Sequence, residues 1–329
     1  MYDEAEIFEA LARLLRVRPQ LEAICRFGGR WSSQHEPEPA GWAPFHIVTL
    51  GACLLDVGDR VGIPLKAGDV AVLPHGPAHT VRALSRTPGP ISAVHVQRRL
   101  YDELVVKSNL DGEPDTKLIC GRMCLEHPSH NMVLAALPPV VVLASNEGPD
   151  QTRLRRIVDA IRDELEEGRL GSAAIAAILA SSLMLIVLII HLQCGRANNG
   201  IFALLTRPQT AKALAGMLAE PARDWTLDEL ADRAGTSRAT LVRFYRAAVG
   251  MAPFAFLSEL RFTLARHRIR TTKTAVAIIA EEIGYESEAS FSRAYRRRYG
   301  TAPGADRKGG TNSALEAQER SKITTRSEE

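Results

Sequence analysis

The residues of this 329-residue chain that could do chemistry fall into two sets, arginines toward the C-terminus and histidines with cysteines toward the N-terminus. The arginines lie in a repeat. Leu241-Val-Arg243-Phe-Tyr245-Arg246-Ala-Ala-Val-Gly250-Met-Ala-Pro253 returns fifty positions later, without a gap, as Phe291-Ser-Arg293-Ala-Tyr295-Arg296-Arg-Arg-Tyr-Gly300-Thr-Ala-Pro303. A guanidinium repeated at one helical offset suits a polyanion, because its planar fork bonds phosphate oxygens and the paired acceptors of guanine. In the second set, Cys120-x3-Cys124-x2-His127-x2-His130 offers thiols and imidazoles at short spacing, which can bind zinc or sense oxidants. His46, His79 and His95 are candidate liners of a ligand pocket, although lone histidines are more often structural.

Helices entered through tight turns must carry the arginines. Thr226 with Glu229 three residues on reads as a capping box, and Gly235 can end that first helix with a positive φ. Ser237 then caps a helix from Arg238 to about Val249. Leu241 and Phe244 are expected to face the core, with Arg238, Ala239, Val242 and Arg243 outward and Arg246 a turn beyond. In the second copy Ala280 and Gly284 repeat the Ala231–Gly235 spacing, and the turn to Ser287 is one residue longer. Phe291 and Tyr295 point inward there, leaving Glu288, Ser290, Arg293, Arg296 and Arg297 outside. An amphipathic helix from Pro253 to Ile269 joins the copies. Two such units, rigidly joined, could enter successive major-groove segments about 34 Å apart. A run such as Arg296-Arg297-Arg298 is usually only a wet face, but matched offsets, caps and basic faces in two copies favour nucleic acid.

Charge agrees with that placement. Residues 205–309 carry 18 Lys/Arg against 11 Asp/Glu, whereas residues 1–204 carry 20 against 23, so the C-terminal block is the one suited to a polyanion.

Residues from about 205 to 306 resemble the DNA-binding domain of the AraC/XylS family of bacterial transcription regulators. The stretch IGYESEASFSRAYRRRYGTAPGADR carries the family signature of Gly-Tyr-x-Ser, then Phe-x-Arg-x-Phe/Tyr, then Gly-x-x-Pro. The resemblance implies seven helices, two readers bridged by a long helix, and asymmetric promoter sites on double-stranded DNA beside RNA polymerase. It places base readers at Arg238, Ala239, Val242 and Arg243, behind Ser237, and at Glu288, Ala289, Ser290 and Arg293. Ala239 and Val242 are apolar where family members often have polar readers, which suits thymine methyls or weak discrimination. Arg246, Arg296 and Arg297 are expected on phosphates.

Toward the N-terminus, short apolar runs broken by Gly and Pro from about 24 to 145 read as an all-β sandwich or barrel. Within them Gly68-Asp-Val-Ala-Val-Leu-Pro74-His-Gly76-Pro-Ala-His79 fits G-x5-P-x-G-x2-H, which resembles the second cupin motif. The resemblance makes His79 a metal-ligand position. The companion motif needs a His-x-His pair and a carboxylate, and around His46 there is only Phe45-His46-Ile-Val-Thr-Leu. The expectation is therefore a sensor barrel for an unknown small molecule, with no catalytic metal, no cofactor and no enzymatic activity. Trp31 and Trp42 could wall its cavity, although core packing is their commoner use.

The expected organisation is multidomain: a cupin-like β-barrel over 1–147, a helical linker over 150–200, an all-α domain with two helix-turn-helix units over 205–306, and a disordered tail over 307–329. A further amphipathic helix is expected over 4–17. Residues 172–193 lack any formal charge, long enough to span a bilayer, but Ser181, Ser182, His191 and the alanines favour a buried or dimer-forming helix. Five scattered cysteines and an acidic N-terminus without an apolar signal run suggest the bacterial cytoplasm. The rival readings are a cupin metalloenzyme fused to a DNA-binding module, a membrane-tethered regulator and a repair-type methyl acceptor, for which Cys25 stands alone.

Overall fold

Strand β1 (Val17–Phe27) buries Leu21, Ala23, Cys25 and Phe27, alternate residues, as a strand does when one face meets a core. In the computed structural model, residues 7, 17–84, 93–98, 104–125, 135–144, 149–193 and 200–307 are described. The helix expected over 4–17 lies outside them except for Ile7, and β1 begins upstream of the expected residue 24. The chain divides into two compact units, Leu15–Phe202 and the part from Ala203 onward.

The first unit is built on β2 (Ser32–His35), β3 (Trp42–Leu50), β4 (Ala52–Val57), β5 (Arg60–Lys66), β6 (Val70–Val72) and β7 (His79–Ala83). It continues with β8 (His95–Arg98), β9 (Val105–Ser108), β10 (Thr116–Leu125) and β11 (Val141–Leu143). One sheet runs β11-β6-β3-β10-β1-β9-β8 and the other β2-β7-β4-β5. Their inner faces supply one core, including Phe27, Val48 and Leu118 from the first sheet and Leu55, Leu65 and Val81 from the second, with Trp31 just ahead of β2. Trp31 stacks on Phe27 with ring centroids 4.4 Å apart, and Trp42 lies under the Arg122 guanidinium at 4.2 Å, so both tryptophans are packing residues. Gly76 has a φ of 59°, and a Cβ there would come within 2.7 Å of the Trp42 carbonyl oxygen, so the motif's second glycine is required.

Two helices follow, α1 (Pro149–Glu167) and α2 (Ser172–Gln193). The uncharged α2 packs on α1 and on β1 and β11, burying Ala176, Ala180, Leu183, Val187 and Ile190, spaced as one helical stripe. Ile175 and Ile178 stay 47% and 70% exposed, so α2 is apolar all round without being buried all round. Among the described residues, no single helix is long and apolar enough to cross a membrane.

The second unit is helical: α3 (Gly200–Leu205, starting in the first unit), α4 (Pro208–Ala219), α5 (Leu227–Ala234), α6 (Arg238–Val249), α7 (Pro253–Thr271), α8 (Val276–Glu282) and α9 (Glu288–Tyr299). Helix α7 is longer than the expected Pro253–Ile269 and packs against both α6 and α8. Its Phe262, Ala265 and Ile269 join Ile279, Ala280, Phe291 and Tyr295 in one core. Asp306, buried, ties this core together: its carboxylate accepts from Arg266 Nε (2.9 Å), Arg270 Nη2 (2.6 Å) and Tyr295 Oη (2.5 Å).

Candidate nucleic-acid interface and barrel site

The two reader helices are built by the same local bonds. Thr226 Oγ1 accepts from the Glu229 amide at 3.2 Å, while Glu229 Oε2 accepts from the Thr226 amide at 2.7 Å, the expected capping box of α5. At its end Thr236 N donates to Ala231 O (3.0 Å), and in the second copy Tyr285 N donates to Ala280 O (2.9 Å). Ser237 Oγ then accepts from Thr240 N and Ser287 Oγ from Ser290 N, both at 3.2 Å, starting α6 and α9. Both helices stop at left-handed glycines, Gly250 (φ 72°) and Gly300 (φ 74°).

The side chains follow. Leu241 and Tyr245 are buried in α6, as Phe291 and Tyr295 are in α9. The expected inward role of Phe244 is corrected: Tyr245 fills that position, four residues after Leu241, and donates to Met217 Sδ at 3.7 Å. Phe244 is half-buried, with the Arg207 guanidinium 4.8 Å over its ring. Ser237, Arg238, Ala239, Arg243 and Arg246 are exposed on the first unit and Val242 is half-buried. On the second, Glu288, Ala289, Arg293, Arg296 and Arg297 are exposed and Ser290 is half-buried. Arg238 makes an exposed ion pair with Asp228 at 3.2 Å. Arg298, the third arginine of the run, serves packing: it grips Glu259 of α7 with Nη2–Oε2 at 2.6 Å and Nε–Oε1 at 3.0 Å.

In the barrel, the structure rearranges the candidate set. His46 and His79 meet with their Nε2 atoms 2.8 Å apart, one from each sheet. The third member is His35, absent from the expected set. It stands directly opposite His79 in the β2–β7 pair, its ring stacked parallel at 4.6 Å. His95 is instead exposed on β8, at the far edge of the seven-stranded sheet. His79 Nδ1 donates to Pro77 O at 2.9 Å, and His46 Nδ1 lies 3.2 Å from Cys120 Sγ. Burial pushes all three imidazoles toward the neutral form, His35 to about 3 and His46 well below the ordinary histidine range.

Cys120 and Cys124 do not converge on one ion. Both lie on β10, where four residues span about 13 Å, and His127 and His130 lie outside the described residues. Cys120 instead approaches Cys25, with sulfurs 3.8 Å apart, and Cys53 is a core thiol that burial pushes up to about 12. A separate open recess of 460 Å³ is lined by Gly29, Ala52, Ala83, Leu84, Asp115 and Thr116, away from the histidines.

Residues 6–193 match the cupin family and residues 230–309 match a helix-turn-helix domain family. A putative AraC-like transcription regulator of Streptomyces antibioticus is 33% identical over 91% of this chain and 97% of its own. Its counterpart in Streptomyces lividans is 32% identical over 91% and 97%. An HTH-type transcriptional regulator of Haemophilus influenzae is 26% identical over 92% and 98%. The chain belongs to the AraC-like family of DNA-binding transcription regulators, with a cupin domain placed ahead of its helix-turn-helix domain.

Proposed function

We propose that α6 and α9 read promoter DNA, that the cupin barrel answers a small-molecule signal, and that α2 joins two copies in the bacterial cytoplasm. Arg238, Ala239, Val242 and Arg243 would meet base edges from α6, and Glu288, Ala289, Ser290 and Arg293 from α9. Arg246, Arg296 and Arg297 would hold phosphates, and Ser237 would set the entry of α6. The single observation that carries this reading is the exposure of Arg243 and Arg293 at matching positions of two identically capped helices. The barrel acts as a sensor and not as an enzyme, supported by relatives that are transcription regulators along nearly their full length. An effector can act only by binding two states of the regulator unequally, and so by changing how the readers are presented to DNA or to RNA polymerase.

Selection of genomic fragments by the purified full chain, followed by gel shifts, tests the reading. Wild type should retain a discrete fragment set that Arg243→Ala/Arg293→Ala loses. Equal retention by both proteins would overturn it.

A further inference from the structure

We propose that His35, His46 and His79 form a site for one divalent transition-metal ion of the zinc class inside the barrel. Only His79 occupies the ligand position of the cupin motif. The donors that the first motif lacks come instead from β2 and from the middle of β3.

Geometry carries the assignment. One ring nitrogen from each histidine lies within 4.8 Å of the other two. Imidazole nitrogens around a tetrahedral zinc stand about 3.3 Å apart, given Zn–N bonds of about 2.0 Å. The 2.8 Å His46–His79 separation must open by a few tenths of an ångström and His35 must close in, both within reach of small ring rotations. His79 also has the outer contact typical of a metal-bound histidine: Nδ1–H given to the Pro77 carbonyl leaves the Nε2 lone pair facing His46.

Without an ion, a hydrogen-bond chain accounts for two of the rings. Cys120 S–H gives to His46 Nδ1, and His46 Nε2–H gives to His79 Nε2. On metal binding one proton of His46 shifts from Nε2 to Nδ1, which then donates to Cys120 Sγ, and the Cys120 thiol hydrogen turns toward Cys25 Sγ, 3.8 Å away. No net charge is created on the protein. His35 stands outside that chain, its Nε2 3.3 Å from Ser33 Oγ and its ring face to face with His79. A third imidazole is explained by a third coordinate bond. Three nitrogen donors without a carboxylate favour zinc, copper, iron or nickel over magnesium or calcium, and leave one position for an exchangeable ligand. His35 is half-buried, so the cluster can be reached from its side.

The test counts metal without DNA, so it can fail while the regulator reading stands. Chelator-treated full chain is titrated calorimetrically with Zn²⁺, and bound zinc is counted after desalting. Wild type should retain one zinc per chain. Each of His35→Gln, His46→Gln and His79→Gln should lower affinity by tenfold or more, with His75→Gln and His95→Gln unchanged. If His46→Gln does not fold, half-buried His35→Gln decides. No retained zinc in wild type, or full retention in both His35→Gln and His79→Gln, overturns the proposal. So does loss of zinc in Cys124→Ser with retention in His35→Gln.

Discussion

Arg293 and Arg297 sit about one turn apart on α9, both exposed, yet they are assigned different tasks. Arg293 matches Arg243 of α6 in position, the pair proposed to read bases, and a forked pair of hydrogen bonds to guanine would discriminate by about 1–3 kcal/mol there. Arg293→Ala should therefore weaken cognate binding by about 10- to 100-fold and scrambled-duplex binding far less. Arg297→Ala should weaken both duplexes evenly and reduce the slope of log affinity against log salt by about one. Gel-shift titrations at several salt concentrations separate the two, and equal loss on both duplexes for Arg293→Ala would count against its role. Exposure alone does not single out readers. Arg298, in the same run, spends its guanidinium on Glu259 and so is unsuited to DNA. That division between neighbouring arginines depends on where α7 lies, which the run of letters does not show.

At the scale of elements, the two turns share a design but not a tolerance. Gly235 has a φ of 63° with no atom within 4 Å of an added Cβ, whereas at Gly284 (φ 86°) that Cβ would meet the Ala222 carbonyl oxygen at 2.7 Å. Gly235→Ala should cost about 1–2 kcal/mol, the left-handed penalty alone. Gly284→Ala should cost clearly more, and urea unfolding of the two variants measures the difference. Asp306 couples α7 to α9. Burial opposes its ionisation, but hydrogen bonds from Arg270, Arg266 and Tyr295 outweigh this and hold the carboxyl well below its ordinary range. A depressed folded pKa contributes stability above the unfolded value of about 3.9, lost as pH falls through it toward the folded one. Asp306→Asn should destabilise at neutral pH by about 3 kcal/mol, since two guanidiniums lose a buried partner. Its unfolding midpoint should also fall less than wild type's as the pH drops from 5 to 3. A parallel fall would assign the acid sensitivity to other groups.

For the whole molecule, the question is what the exposed side of α2 meets. With Ile175 and Ile178 outward and the opposite stripe on the barrel, self-association through this face is the expected use. Sedimentation should show a dimer for wild type and a monomer for Ile178→Glu. A monomeric wild type would remove α2 from the account of DNA binding. The uncharged stretch 172–193 forms one helix over its full length, but which of its many apolar residues face the barrel cannot be apportioned from their letters.

What the amino-acid sequence determined by itself is whatever rests on neighbours a few residues apart. The duplicated unit, its serine caps, the capping box and the glycine stops are short-range, because a helix end is satisfied within its own turn. The cupin spacing around His79 is equally local. Tertiary structure alone decided the barrel site. His46 reaches His79 across 33 positions and Cys120 across 74, and His35 enters only because β2 pairs in register with β7. Strand register between remote segments is set by which faces share a core, and a slip of one residue would turn His35 away from His79.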